Sequence, residues 1–228
     1  ILCSKYMIFD NYNILVLNIN ESELLVDYDI FNKYKIKHME ILLSAYMAVK
    51  CIFSNKSKKM IIYCNTVANA KLIQEIITIF LTEYNDDINL YNSNNLSINI
   101  GNYELNGSDS SDKRKKILTK FTNDEYAIMS SVQLFGEGYD YPQLDSVLFA
   151  EEMTSDIRIV QSGLRPCRKD PTNLDKIAKI LLPISKEKPN KLKQVLLKMK
   201  SSDTIIDKIK IIDNTHVPNV KDVKDTIY

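Results

Sequence analysis

Between residues 60 and 183, short apolar runs alternate with amphipathic stretches, and this alternation restricts the fold more than any other feature of the chain. Met60-Ile61-Ile62-Tyr63-Cys64 contains no charged residue, so it reads as a strand covered on both faces. A helical pattern follows over 67–81, then a short strand over 103–107 that stops at Gly107, and a helix over 112–121. Strands over 126–129 and 146–150, a short helix ending in spaced arginines, and a last strand over 178–183 complete the series. Strands that return through helices lie parallel, with helices on both faces and functional loops at the carboxyl ends of the strands. The expected class is therefore α/β, a parallel sheet between two helical layers.

The flanks are harder to read. Apolar runs at 14–19 and 24–26 suit short strands, and 33–53 carries the apolar spacing of a helix with one broad buried face. Residues 84–102 are rich in Asn, Asp and Ser and are expected to be a surface insertion. Lys56 to Lys59 read as a basic turn, and residues 186–228 as a small helical extension with a frayed end. The expected organisation is a segment over 1–32 through which the chain arrives from a preceding domain, a domain over 33–185, and the extension over 186–228.

With 228 residues, 45% of them hydrophobic, the chain can bury a large core, and no apolar run approaches the roughly 20 residues needed to cross a bilayer. A net charge of +1 provides no global attraction to nucleic acid, so any such contact must come from a local patch. Cys3, Cys51, Cys64 and Cys167 are scattered, and His38 and His216 stand apart from them, so no metal site is expected. Reduced thiols in a soluble, intracellular protein follow from that spacing. The first residue is Ile1 and no secretion signal follows it, which suggests a piece of a longer protein.

Candidate site residues cluster between 130 and 168. The chain has only five glycines, and two of them, Gly136 and Gly138, share one loop where the main chain can turn sharply or admit a ligand. Asp140, close before Pro142, stands at the mouth of that loop with a carboxylate able to accept a ribose hydroxyl. Gln161, Arg165 and Arg168 are spaced i, i+4, i+7, which on a helix places them on one face, and Pro166 ends or kinks that helix near Arg165. Two guanidinium forks with a glutamine beside them suit phosphate oxygens, although an Arg-x-x-Arg turn alone is more often a surface ion-pair site. Thr66 is a good N-cap for the helix over 67–81, either as a plain cap or as part of a phosphate site at the helix start.

These stretches resemble a family. Glu137-Gly138-Tyr139-Asp140-Tyr141-Pro142 and Gln161-x-x-Leu164-Arg165-x-x-Arg168 look like motifs V and VI of superfamily 2 helicases, and the segment around Asn65-Thr66 resembles motif IV. The matched stretches occur in the family's order over about residues 60–183. The glutamate before the motif V glycine resembles the subtype of restriction-type translocases and helicases of large DNA viruses, so a viral source is among the expectations. The family usually has glycine directly before the first arginine; here Leu164 holds that place and Gly163 precedes it.

The resemblance implies a RecA-like second motor domain. Arg165 and Arg168 would then reach the γ-phosphate of ATP with Gln161 beside them, Gly138 and Asp140 would line the cleft near the sugar, and Thr66 and Ser131 would face the nucleic-acid backbone. No Gly-x-x-x-x-Gly-Lys-Ser/Thr loop and no Asp-Glu-x-His run is present, so the phosphate loop and the Mg2+ ligands are expected in a first motor domain outside this chain. DNA or RNA and that first domain are the implied partners, and no membrane is. The competing reading is a helicase-like scaffold or nucleic-acid-binding module without catalysis.

Overall fold

The computed structural model describes residues 12–16, 39–53, 55–83, 99–132, 141–151, 153, 155–181 and 210–213. The strands are β1 (Tyr12–Val16), β2 (Lys59–Tyr63), β3 (Ile100–Asn106), β4 (Tyr126–Val132), β5 (Ser146–Phe149), β6 (Ala178–Leu181) and β7 (Lys210–Asp213). The helices are α1 (Met39–Phe53), α2 (Val67–Glu83), α3 (Ser111–Asn123) and α4 (Asp156–Gly163), followed by a 3-10 turn at Arg165–Cys167. All strand pairs are parallel and form one seven-stranded sheet in the order β3-β4-β2-β5-β6-β1-β7. This is the expected RecA-like α/β architecture.

The two faces separate by alternation along each strand. Met60 and Ile62 of β2, Ile128 of β4 and Leu148 of β5 point to a core built with α1 and α2, among them Met47, Ile52, Phe53, Ile73, Ile77 and Phe80. Ile61 and Tyr63, Met129, and Val147 and Phe149 point the other way, to Phe121 of α3, Ile159 of α4 and Cys167. A strand such as β2, buried along its whole length, gains apolar burial on both sides, which is why Met60 to Tyr63 follow its opening Lys59 as an unbroken apolar run.

At the amino edge of the sheet, side chains replace missing ladder bonds. Asp145, just before β5, accepts from Ser57 Oγ at 2.7 Å and from the amides of Lys58 and Lys59 at 2.7 and 3.2 Å, pinning the start of β2 to that of β5. Lys59 is not part of an exposed basic turn: it opens β2 and is buried. Its ammonium donates to the carbonyls of Phe121, Thr122 and Asp124, closing the carboxyl end of α3, where carbonyls lack helical partners.

Three expectations change. The strand expected over 103–107 begins earlier, at Ile100, so residues 100–102 belong to the sheet and not to the insertion; residues 84–98 lie outside the described residues. Within this strand Gly101 marks a close approach. A Cβ there would sit 2.0 Å from Asp124 Oδ2 and 2.9 Å from Tyr103 Oη, across the Tyr103–Asp124 hydrogen bond. Within the span expected to be helical, Lys210–Asp213 is a strand paired with β1; the apolar spacing at 192–199 lies outside the described residues. β1, from the span expected to lead in from a preceding domain, sits within the same sheet between β6 and β7.

Candidate functional site

The arginines are placed by a change of helix type. Ser155 caps α4 by accepting from Arg158 N at 3.4 Å, and Ile159 anchors the helix on the sheet. The helix stops at Gly163, and Pro166 then occupies the first turn of the 3-10 segment, where its missing N–H leaves no bond unmade. Buried Pro166 and Cys167 fix this turn, and Arg168 N bonds Arg165 O at 3.4 Å. Gln161, Arg165 and Arg168 therefore do not share one continuous α-helical face. Arg165 opens the 3-10 turn and Arg168, with extended backbone, follows it; both are half-buried, whereas Gln161 is exposed on α4.

Arg165 and Arg168 border a small cleft of about 10 Å³ with Ile61, Tyr141 and Leu144. The cleft thus brings the arginines against Ile61 in the middle of β2 and against the turn that precedes β5. Beside them Tyr63 is buried and stacked on Phe149 with ring centroids 5.7 Å apart. Burial pushes its phenol up to about 12, opposed first by the Arg165 charge, then by neighbouring Ser162 and by Arg168. The Tyr63 hydroxyl has no hydrogen-bond partner in good geometry among the described residues.

A second group lies at the carboxyl edge. The exposed Thr66 caps α2, its Oγ1 accepting from Asn69 N at 3.1 Å and its carbonyl from Ala70 N at 3.1 Å. The start of α2 already holds an anion, because the Glu151 carboxylate accepts from Asn65 N at 2.8 Å and Asn69 Nδ2 at 2.7 Å. Ser131 is fully buried near the end of β4, and its Oγ has no partner among the described residues. It pairs in register with Tyr63, so it shares the face of Tyr63 and the arginines. Its neighbour Ser130 points to α2, donating to Ala70 O at 2.8 Å. Thr66 and Ser131 are thus at neighbouring strand ends without sharing a face.

Gly138 and Asp140 lie outside the described residues. The described chain resumes at Tyr141, whose ring packs against Phe121 at 5.7 Å and whose carbonyl accepts from Leu144 N at 3.1 Å, closing a turn. Tyr63, Glu151 and Lys176, which donates to two carbonyls of this turn, were not among the expected site residues. Glu151 stands just past the end of a strand, a weak local signal that acquires meaning only through the pairing of β2 with β5. Among the described residues, no group of three or more His, Cys, Asp or Glu side chains is arranged to hold a metal, and no helix is long and apolar enough to cross a membrane.

Residues 37–169 match the family described as "Helicase conserved C-terminal domain". No curated protein matches the sequence. Among solved structures, the chain resembles an ATP-dependent type ISP restriction-modification enzyme, LlaBIII, bound to DNA, with a TM-score of 0.68 and 18% identity over 95% of this chain and 16% of that one. It also resembles domain 2 of the DEAD-box helicase Mss116p bound to an RNA duplex, with a TM-score of 0.52 and 15% identity over 93% of this chain and 67% of that one. A putative HsdR subunit of a type I restriction enzyme from Vibrio vulnificus YJ016 has a TM-score of 0.54 and 14% identity over 89% of this chain and 36% of that one. The chain spans about a sixth of the restriction-modification enzyme and about a third of the HsdR fragment.

Proposed function

Because the chain belongs to the helicase conserved C-terminal domain family, we propose that it is the second motor domain of an ATP-dependent nucleic-acid helicase or translocase of superfamily 2. In this reading residues 33–185 form the motor domain, with β1 and β7 extending its sheet. A first motor domain elsewhere in the full-length protein carries the phosphate loop and the Mg2+ ligands and completes the cleft. The Glu137-Gly138-x-Asp140 stretch favours the restriction-type subtype.

The observation that carries the proposal is the pair Arg165 and Arg168 bordering one cleft from a turn held by buried Pro166 and Cys167, next to the buried Tyr63 hydroxyl. Those groups fit ATP in kind. Two planar, permanently charged forks match phosphate oxygens, and their anchored turn limits the entropy lost on contact. Arg165 and Arg168 act as arginine fingers, neutralising charge that grows at the γ-phosphate during hydrolysis, and Gln161, exposed on the preceding helix, is assigned an accessory role at the same nucleotide. Gly138 and Asp140 hold the sugar side of the same cleft. Thr66 and Ser131 are assigned to the nucleic-acid backbone. Backbone contact carries no sequence information, so tracking is independent of base sequence. DNA and RNA remain alternative tracks; the similar structures include proteins bound to each.

The test is nucleic-acid-stimulated ATP hydrolysis by the full-length protein. Arg168→Ala is expected to lower kcat by roughly 10²-fold or more with little change in KM, because the lost contact acts on the transition state. Arg168→Lys is not expected to rescue it, since a point charge on a flexible stem lacks the fork. Wild-type kcat in Arg168→Ala would refute the proposal and favour a non-catalytic scaffold.

A further inference from the structure

Lys176 lies between the arginine turn and β6, and the proposed function gives it no role. Its half-buried ammonium donates to Pro142 O at 2.5 Å and Leu144 O at 3.0 Å. Those carbonyls belong to the turn from Tyr141 to Leu144, which the Leu144 N to Tyr141 O bond of 3.1 Å closes at its other side. The turn is also one wall of the arginine cleft, since Tyr141 and Leu144 border it with Arg165 and Arg168. Opposite it, the chain leaves Arg168 through a compact turn at Asp170. The Asp170 carboxylate accepts from Thr172 N at 2.9 Å and Thr172 Oγ1 at 2.6 Å, its carbonyl from Asn173 N at 3.1 Å, and Asn173 O from Lys176 N at 3.3 Å. Burial favours the neutral form of Lys176, and the Asp170 carboxylate is the largest influence keeping it charged.

One side chain, carried on the segment that follows the arginine turn, thus donates to two carbonyls of the cleft wall. We propose that Lys176 is a positioning residue that holds the Tyr141-to-Leu144 turn at a fixed spacing from Arg165 and Arg168, so that the arginines are aimed before nucleotide arrives. The inference rests on the proposed arginine role. A charge-assisted pair of bonds is strong enough for this task, whereas water can replace it only by entering a half-buried site.

The experiment uses the full-length protein and compares wild type with Lys176→Met, Lys176→Gln and Lys176→Arg. Lys176→Met is expected to lower kcat roughly tenfold with KM within about twofold, a smaller loss than Arg168→Ala causes, because aim is weakened while the charges remain. Lys176→Arg, which keeps charge and donors, should recover most of the rate. Amide exchange should quicken locally at Leu144 and Arg168 in Lys176→Met while the β2–β4 ladder keeps its protection. Should Lys176→Met fail to fold, Lys176→Gln, with a neutral donor, is read in the same way. Wild-type kcat in Lys176→Met alongside an inactive Arg168→Ala overturns the inference alone. So does an exchange increase spread evenly over the whole sheet, which marks a residue of general stability. An active Arg168→Ala removes the functional reading and this inference with it.

Discussion

Glu151 joins the exit of β5 to the start of α2, and Glu151→Ala should reveal how much that link contributes. The carboxylate accepts from Asn65 N at 2.8 Å and Asn69 Nδ2 at 2.7 Å. Asn65 is exposed and Glu151 half-buried, so water competes, and each bond is taken at the low end of its range, about 0.5–1 kcal/mol. The negative charge at the positive end of α2 adds about 0.3–0.5 kcal/mol under the same exposure. The variant is expected to lose about 1.5–2 kcal/mol in urea denaturation, which corresponds to a Tm fall of roughly 3–8 °C for a domain of this size. Asn69→Ala removes one arm only and should cost about half as much. The two substitutions share an interaction, so the double variant should fall short of additivity by about 0.5–1 kcal/mol. An unchanged Tm, or strict additivity, would refute the placement of the carboxylate at the start of α2.

Gly101→Ala should cost about 1–3 kcal/mol by displacing Asp124 from Tyr103. In an Asp124→Ala background the same substitution should cost clearly less, and an equal cost would show that the crowding lies elsewhere. Lys59 makes stability depend on pH: burial lowers its pKa to about 8 from 10.5, so between those values the unfolded chain binds more protons than the folded one. Wild-type stability relative to Lys59→Met should therefore rise as pH increases from about 8 to 10.5 and stay level below 8; a fall over that interval would contradict the buried ammonium. The 228-residue chain alone should release no phosphate from ATP with or without nucleic acid. Robust turnover sensitive to Arg168→Ala would rule out the divided site.

The sequence alone determined which stretches become strands and helices wherever burial leaves a periodic trace. β2 is covered on both faces, so it is apolar after its opening Lys59; the α2 pattern records the one face it turns to the core, whereas α1 is buried almost all round, beyond the single broad face expected of it. The local break at Pro166 was legible too, since a missing N–H acts on its own neighbours. The short flanking strands β1 and β7 left a weaker trace: four or five residues suit several structures, and partners far away in the chain select one. Lys59 misled for the same reason, being buried because the end of α3 supplies carbonyls, and Gly101 left no trace at all although Asp124 crosses it. Only the tertiary structure decided the face on which Ser131 points, the anion at the start of α2, and the grip of Lys176 on the wall beside the arginines. Local periodicity reports what a residue buries, whereas a hydrogen bond between Asn65 and Glu151, 86 positions apart, exists only after the sheet has chosen the order of its strands.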